Sequence, residues 1–443
     1  MSYVRCLRGT ASGQSYDFDQ PINLDPIDGR PLQMELDLER LAAERPNGSW
    51  YSPQRRNLWR FGGLLGLDID DPADKRWITP HGEGYTAELP DADHPLARSA
   101  GFSLWIKDEG EPHDGYGANP TGSFKDRGMA MVVACARRLG LTRLAVPTQG
   151  NAGDSLAWYG LQAGLSVGVA MPEDTPAPIQ RRVAELSRSH PQQIRLHTVV
   201  GTIREAGAWI KANWLSEGWF NCATFQEPGW RIEGKKTLGL ELAEPRAACG
   251  REGWSLPEVI VYPTGGGTGV LGMAKAFDEL QALGLIDDRR PRMICVQSEA
   301  TAPLVDAIGS GAADTTPVAA GHTLAVGLNV PGGVGHSKVL QIIRASGGSA
   351  LGVSEQEIAA ADAAARGRGL PIELCPEGAA CLAALPEALE RGLIRRGDRV
   401  VVVNTGSPWK YFFRAEGRGL RGQKSRAQGS GPSSAAARRV GCR

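Results

Sequence analysis

The chain has 443 residues, too many for one hydrophobic core at ~150 residues per domain, so two or three domains are expected. Hydrophobic residues at 42% and charged residues at 22% exclude a wholly disordered or fibrous chain. Forty-nine basic side chains balance forty-nine acidic ones, which leaves no general electrostatic footprint for nucleic acid or an anionic membrane and favours small-molecule chemistry.

No apolar run reaches the ~18 residues of a membrane helix, and the start Met1-Ser2-Tyr3-Val4-Arg5 has no signal-peptide character, so a cytoplasmic protein is expected. The eight cysteines form no C-x-x-C pair and the seven histidines no i, i+4 pair. Buried reduced thiols and no metal site are expected.

Residues 1–75, rich in Asp, Pro and Arg, read as an N-terminal extension whose clearest amphipathic segment is Met34 to Leu41. From about Phe102 apolar strands alternate with helical stretches: Ser103 to Lys107, a helix over Lys125 to Leu139, Leu144 to Thr148, a helix over Asp154 to Ala163, and Ser166 to Met171. A second set follows, with Glu258 to Tyr262, a helix over Gly269 to Leu283, Arg292 to Gln297, a helix over Glu355 to Arg366, and Arg399 to Asn404. The pattern predicts two α/β domains with parallel sheets, over 76–232 and 233–413. Residues 414–443 are basic, Gly- and Ser-rich and nearly free of large apolar residues, so a disordered tail is expected there.

Four stretches carry chemistry. Asn119 to Gly128 reads NPTGSFKDRG and places Lys125 at the opening of an apolar helix, where the helix dipole and burial both lower a lysine pKa and suit it to form a Schiff base. Thr148 to Gly153 reads TQGNAG between a strand and a helix, so backbone N–H groups and the Asn151 amide offer an anion site fit for an amino-acid carboxylate. Pro263 to Gly269 reads PTGGGTG in the same context, and its glycines let backbone close around a phosphate. The overlapping Gly267-Thr268-Gly269-Val270-Leu271-Gly272 is also a literal G-x-G-x-x-G, with Glu299 placed as a ribose-binding acid, so a nicotinamide dehydrogenase stays open at this point. Asn404 to Tyr411 reads NTGSPWKY and sets the Thr405 and Ser407 hydroxyls at a strand C-terminal edge.

In order and spacing these boxes resemble the fold-type-II pyridoxal-phosphate enzymes, and threonine synthases most. NPTGSFKDRG, PEDTPAPI (Pro172 to Ile179), RIEGKKTLG (Arg231 to Gly239), YPTGGGTGVLGMAKAF (Tyr262 to Phe277), CPEGAACLAAL (Cys375 to Leu385) and NTGSPWKY carry the resemblance, from about Gly82 to Tyr411. It implies two αβα domains of the tryptophan synthase β-like fold, pyridoxal 5'-phosphate as cofactor, a small amino-acid substrate and a homodimer. It further implies that Lys125 binds the cofactor covalently, Phe124 packs on its ring and Asn151 bonds its phenolic oxygen. Thr148, Gln149 and Gly150 would hold the substrate carboxylate, Gly265, Gly266, Gly267 and Thr268 the cofactor phosphate, and Thr405 or else Ser407 would face the pyridine nitrogen. Arg231, Lys235 and Lys236 are the expected donors to a substrate phosphate.

Three departures bear on the substrate. Ala152 and Gly153 stand where the family commonly has Thr after the loop Asn. Glu227-Pro228 replaces Asn-Pro and brings a carboxylate near the expected phosphate, while Cys6-x-x-Gly9 survives from a Cys knuckle whose later positions hold Asp25 and Asp28. The first two weigh against a phosphorylated substrate, while the resemblance implies the reaction of O-phospho-L-homoserine plus water to L-threonine plus phosphate, which is the expected one. A serine/threonine dehydratase or a β-replacement synthase on the same fold is the alternative that Ala152 and Gly153 favour.

Overall fold

The protein is described by a computed structural model over residues 2–411, and the basic segment expected from residue 414 lies outside the described residues. The apolar runs read as strands build two parallel sheets. In the larger, Ser349–Val353, Arg292–Ser298, Val259–Pro263, Arg399–Asn404 and Ser103–Asp108 lie side by side in that order, all parallel, and Glu88–Pro90 pairs antiparallel at the edge. Val259 to Val261 and Val400 to Val403 are fully buried, as a sheet covered on both faces demands. The smaller sheet holds Ile194–Val199, Ser166–Pro172, Arg143–Pro147 and Phe220–Asn221, again parallel.

The sheets do not divide at residue 232. Ser103–Asp108, early in the chain, pairs along its whole length with the late strand Arg399–Asn404, and the helix Trp230–Ala243 crosses the expected boundary with every residue buried. That helix positions the site. A Cβ on Gly234 would lie 2.0 Å from the Arg127 carbonyl oxygen, and one on Gly272 2.8 Å from the Lys236 nitrogen, so three helices, Lys125–Arg138, Trp230–Ala243 and Thr268–Ala282, meet at backbone contact. Arg127 is buried beneath Lys125 and locks the start of its helix, with Nε 2.6 Å from Glu109 and Nη1 2.7 Å from Glu241.

The N-terminal extension forms an antiparallel sheet of Ser15–Tyr16, Val4–Gly9 and Leu32–Leu36. Met34 to Leu41 is not one amphipathic element: the strand ends at Leu36, and Asp37 caps a new helix, Leu38–Glu44, by accepting from the Arg40 N–H. Asp25 organises the adjoining turn, accepting from the Ser12 and Tyr16 hydroxyls and the Ile27 N–H. Among the described residues no His, Cys, Asp and Glu group has a metal-holding arrangement, and no helix is long and apolar enough to cross a membrane.

Candidate active site

Three turns at the C-terminal ends of parallel strands close on one narrow cleft: 148–150 after Arg143–Pro147, 264–267 after Val259–Pro263, and Thr405 after Arg399–Asn404. This is where open α/β sheets bind ligands, because helix N-termini and loop N–H groups converge there. Phe124 and Lys125 line the same cleft. Backbone bonds stitch the lysine box to the late Thr/Ser box: Phe124 N–H donates to the Thr405 carbonyl at 3.0 Å, and Ser407 N–H to the Gly122 carbonyl at 2.9 Å.

Lys125 is the first residue of its helix and half-buried, with its ammonium nitrogen 4.7 Å from the Phe124 ring centroid. Burial, and then the Arg231 guanidinium, pull its pKa down to about 8. Roughly a tenth of this lysine is therefore a neutral amine at pH 7, far more than of an ordinary lysine, and that is the form a nucleophile needs.

The glycine loop is an anion cradle. The N–H groups of Gly265, Gly266, Gly267 and Thr268 bond no acceptor among the described residues, at the start of the helix Thr268–Ala282. Gly267 takes a left-handed φ of 87°. Lys235 adds a cation: its Nζ donates to Thr268 Oγ1 at 2.5 Å, and burial, then Lys125 and Arg231, hold its pKa well below the ordinary lysine value. Gly269 and Gly272 of the G-x-G-x-x-G register lie inside the helix and pack against the Tyr262 hydroxyl and the backbone of Trp230–Ala243. Helix packing accounts for both, with no nucleotide.

Opposite stands the Asn loop. The Thr148 hydroxyl is used within it, accepting from the Gly150 and Gly153 N–H groups, so Thr148 shapes the turn. Gln149, Gly150, Asn151 and Ala152 line the cleft, and the helix Asn151–Gln162 starts three residues before the expected Asp154. Asn151 Nδ2 donates to the Tyr411 hydroxyl at 2.9 Å, which donates to Glu377 Oε1 at 3.1 Å.

A cleft that pairs a deprotonatable lysine with an N–H cradle fits pyridoxal phosphate, whose aldehyde requires an amine and whose phosphate requires donors. The chain matches, over residues 89–406, the family described as pyridoxal-phosphate dependent enzyme. It is 32% identical to the threonine synthase of Methanosarcina acetivorans over 84% of this chain and 82% of that one. It is 31% identical to the threonine synthase of Methanocaldococcus jannaschii over 91% of each. The chain belongs to the threonine synthase family. Solved structures agree on the fold: a threonine deaminase from T.th. gives a TM-score of 0.56 at 24% identity over 76% of this chain and 96% of that one. Diaminopropionate ammonia lyase from Escherichia coli gives 0.59 at 17% over 76% and 87%. This threonine synthase family member is thus a fold-type-II, pyridoxal-phosphate-dependent lyase, and the dehydrogenase reading falls away.

Two expected site residues of this family member lie elsewhere. Ser407 Oγ donates to Glu111 and accepts from the Trp409 N–H, turned away from the cleft that Thr405 lines. Lys236 faces a different side of its helix from Lys235, where its ammonium pairs with Glu233 and, at 2.8 Å, with Glu279. Adjacent helical residues point about 100° apart, so one lysine of the pair reaches the cleft and the other the helix interface. Lys236→Met is expected to lower unfolding stability by about 3 kcal/mol, the lower end for a broken buried pair because Lys275 still neutralises Glu233, and to leave cofactor affinity unchanged. Urea denaturation and fluorescence titration check the two halves.

Arg231 does line the cleft, with Nη1 on the Cys222 carbonyl at 3.2 Å and Thr224 Oγ1 at 3.3 Å. Glu227 does not line it; burial lifts its carboxyl to about 7, which weakens the negative charge expected near a phosphate. Sequence reasoning missed Glu377 and Tyr411 as site residues. Both sit inside the quoted blocks CPEGAACLAAL and NTGSPWKY, and an acid directly after a helix-starting proline was the available signal.

Proposed function

We propose that this chain converts O-phospho-L-homoserine and water to L-threonine and phosphate, acting as a cytoplasmic homodimer. The observation that carries the reading is the pair of buried cations, Arg231 and Lys235, which form no ion pair among the described residues and line the cleft beside Lys125. A buried charge without a partner is costly, so such a site is built for anions.

Bound pyridoxal phosphate supplies the electron sink that lets bonds at the substrate's α, β and γ carbons be made and broken. Lys125 would hold the cofactor covalently, and its amine would move protons at Cα and Cβ of the substrate. Phe124 packs against the ring, and the Asn151 amide donates to its phenolic oxygen. The N–H groups of Gly265, Gly266, Gly267 and Thr268, with Lys235, hold the cofactor phosphate. Gln149 and the N–H groups of Asn151 and Ala152 would bind the substrate carboxylate, with Gly150, whose N–H is held by the Thr148 hydroxyl, shaping the turn, while Arg231 would take the substrate phosphate. The Thr405 hydroxyl, which lines the cleft, would face the pyridine nitrogen. A hydroxyl does not enforce a protonated ring, so the sink is milder and favours elimination and replacement on the side chain.

The test is parallel assay of O-phosphohomoserine, serine and threonine, reading phosphate and keto acid. Phosphate release with threonine formation is expected; keto acid from serine or threonine without phosphate release establishes the dehydratase, the reading that Ala152, with no hydroxyl to offer a phosphate, favours. The two cations separate kinetically. Lys235→Gln is expected to weaken pyridoxal-phosphate binding by roughly 10- to 100-fold, the value of a lost charge-assisted hydrogen bond, and Arg231→Gln to raise the KM for O-phosphohomoserine by a similar factor. Equal effects of both variants on both ligands would remove this division of labour. Sedimentation as a monomer would remove the homodimer.

A further inference from the structure

Glu377 is the sole carboxylate among the residues lining the cleft, it is 3% exposed, and its Oε2 has no hydrogen-bond partner among the described residues. Its Oε1 is engaged: it accepts from the Gly327 N–H at 2.8 Å and from the Tyr411 hydroxyl at 3.1 Å. Glu377 lies in the first turn of the helix Pro376–Ala383. Tyr411 is held in turn. The preceding residue, Lys410, is anchored by its Nζ to the Asp154 carboxylate at 2.6 Å and the Thr121 carbonyl at 2.5 Å, and burial raises the Tyr411 phenol well above its ordinary pKa so that it keeps its proton.

These contacts have a fixed polarity. Glu377 Oε1 accepts from both the Gly327 N–H and the Tyr411 hydroxyl, so the Tyr411 proton points at Glu377 and only lone pairs remain for the neighbour on the other side. That neighbour is Asn151, which must then present its amide nitrogen to Tyr411, as the 2.9 Å Nδ2 contact has it. An amide's two ends have nearly the same shape and are told apart only by their partners. With the nitrogen end fixed, its second N–H is left for a further acceptor, and Oδ1 is left buried without a donor.

We propose that Glu377 and Tyr411 are a positioning pair that fixes the Asn151 amide with its N–H toward the cofactor's phenolic oxygen. The inference rests on the cofactor placement proposed above. It makes the polarity of one amide, and through it the charge on the cofactor's phenolic oxygen, depend on a carboxylate that reaches that oxygen only through two other side chains. Arg231 and Lys235 are the basic side chains that line the cleft besides Lys125, and a phenolate favours their charged forms as well.

The experiment is a pH titration of the visible absorption of the substrate-free holoenzyme, with cofactor content measured for each variant. A donor on the phenolate lowers the pKa of the lysine–cofactor chromophore, so its loss raises it. Asn151→Ala is expected to raise that pKa by about one unit. Tyr411→Phe, which keeps the ring and its packing, and the isosteric Glu377→Gln are expected to raise it in the same direction, and the Tyr411→Phe/Glu377→Gln double variant no further than Tyr411→Phe alone. A Tyr411→Phe holoenzyme titrating like the parent, while Asn151→Ala shifts, overturns the positioning pair and leaves the cofactor placement standing. A parent without the chromophore, or an Asn151→Ala variant that titrates like the parent, overturns the placement and the pair with it.

Discussion

Lys125→Ala is expected to reduce phosphate release from O-phosphohomoserine by about 10⁴-fold or more, because in the proposed mechanism one side chain serves as both covalent anchor and proton carrier, and acid–base catalysis alone contributes about 10²–10⁴. The holoenzyme should carry a visible band that borohydride bleaches with a stable label at residue 125, and the variant should show neither. The protein fold is expected to survive, since the helix start is locked from beneath by Arg127 with Glu109 and Glu241, not by Lys125. The lowered lysine pKa adds a direction: the rate at which apoenzyme captures cofactor should rise with pH up to about 8, as the amine loses its proton, and then level. A variant that keeps a reducible link, or a parent whose capture rate falls between pH 6 and 8, would sink the assignment.

Gly266→Asp is the second large effect, and the structure separates it from a folding defect. A Cβ on Gly265 would lie 2.4 Å from the Gly327 carbonyl oxygen and one on Gly267 2.3 Å from a Val339 methyl, so either substitution strains the protein itself. A Cβ on Gly266 meets only a Thr224 methyl, at 3.1 Å, and otherwise the cradle. Gly266→Ala should therefore fold and bind cofactor weakly. Gly266→Asp should also fold but lose affinity by roughly a thousandfold or more, since a carboxylate about 4 Å from a phosphate costs about 4 kcal/mol at an effective dielectric of 20. Equilibrium dialysis with pyridoxal phosphate measures it; an aspartate variant that binds as tightly as the alanine one would show that the phosphate lies elsewhere.

Much of this was legible in the residues. Lys125 at a helix start, PTGGGTG after a buried strand and TQGNAG between strand and helix each state their chemistry locally, because apolar periodicity, glycine freedom and helix N-termini act over a few residues. The helix expected over Lys125 to Leu139 came out at Lys125–Arg138, one residue shorter. What could not be read locally was decided by packing. Whether Lys235 or Lys236 enters the cleft depends on how Trp230–Ala243 is rotated between two neighbouring helices, and that rotation is set by the close approaches at Gly234 and Gly272. The choice of Thr405 over Ser407 depends on Glu111, which draws the serine hydroxyl away. The division at residue 232 failed because parallel strands are joined by long crossovers: nothing within Ser103–Asp108 says that its partner is Arg399–Asn404, nearly three hundred residues on. The residues alone pointed to the cofactor, and to the lysine and the glycine loop proposed to hold it, which are properties of short segments. Tertiary structure decided which side chains face one another across the cleft, Glu377, Tyr411 and Asn151 among them, since burial and hydrogen-bond polarity exist only once distant segments meet.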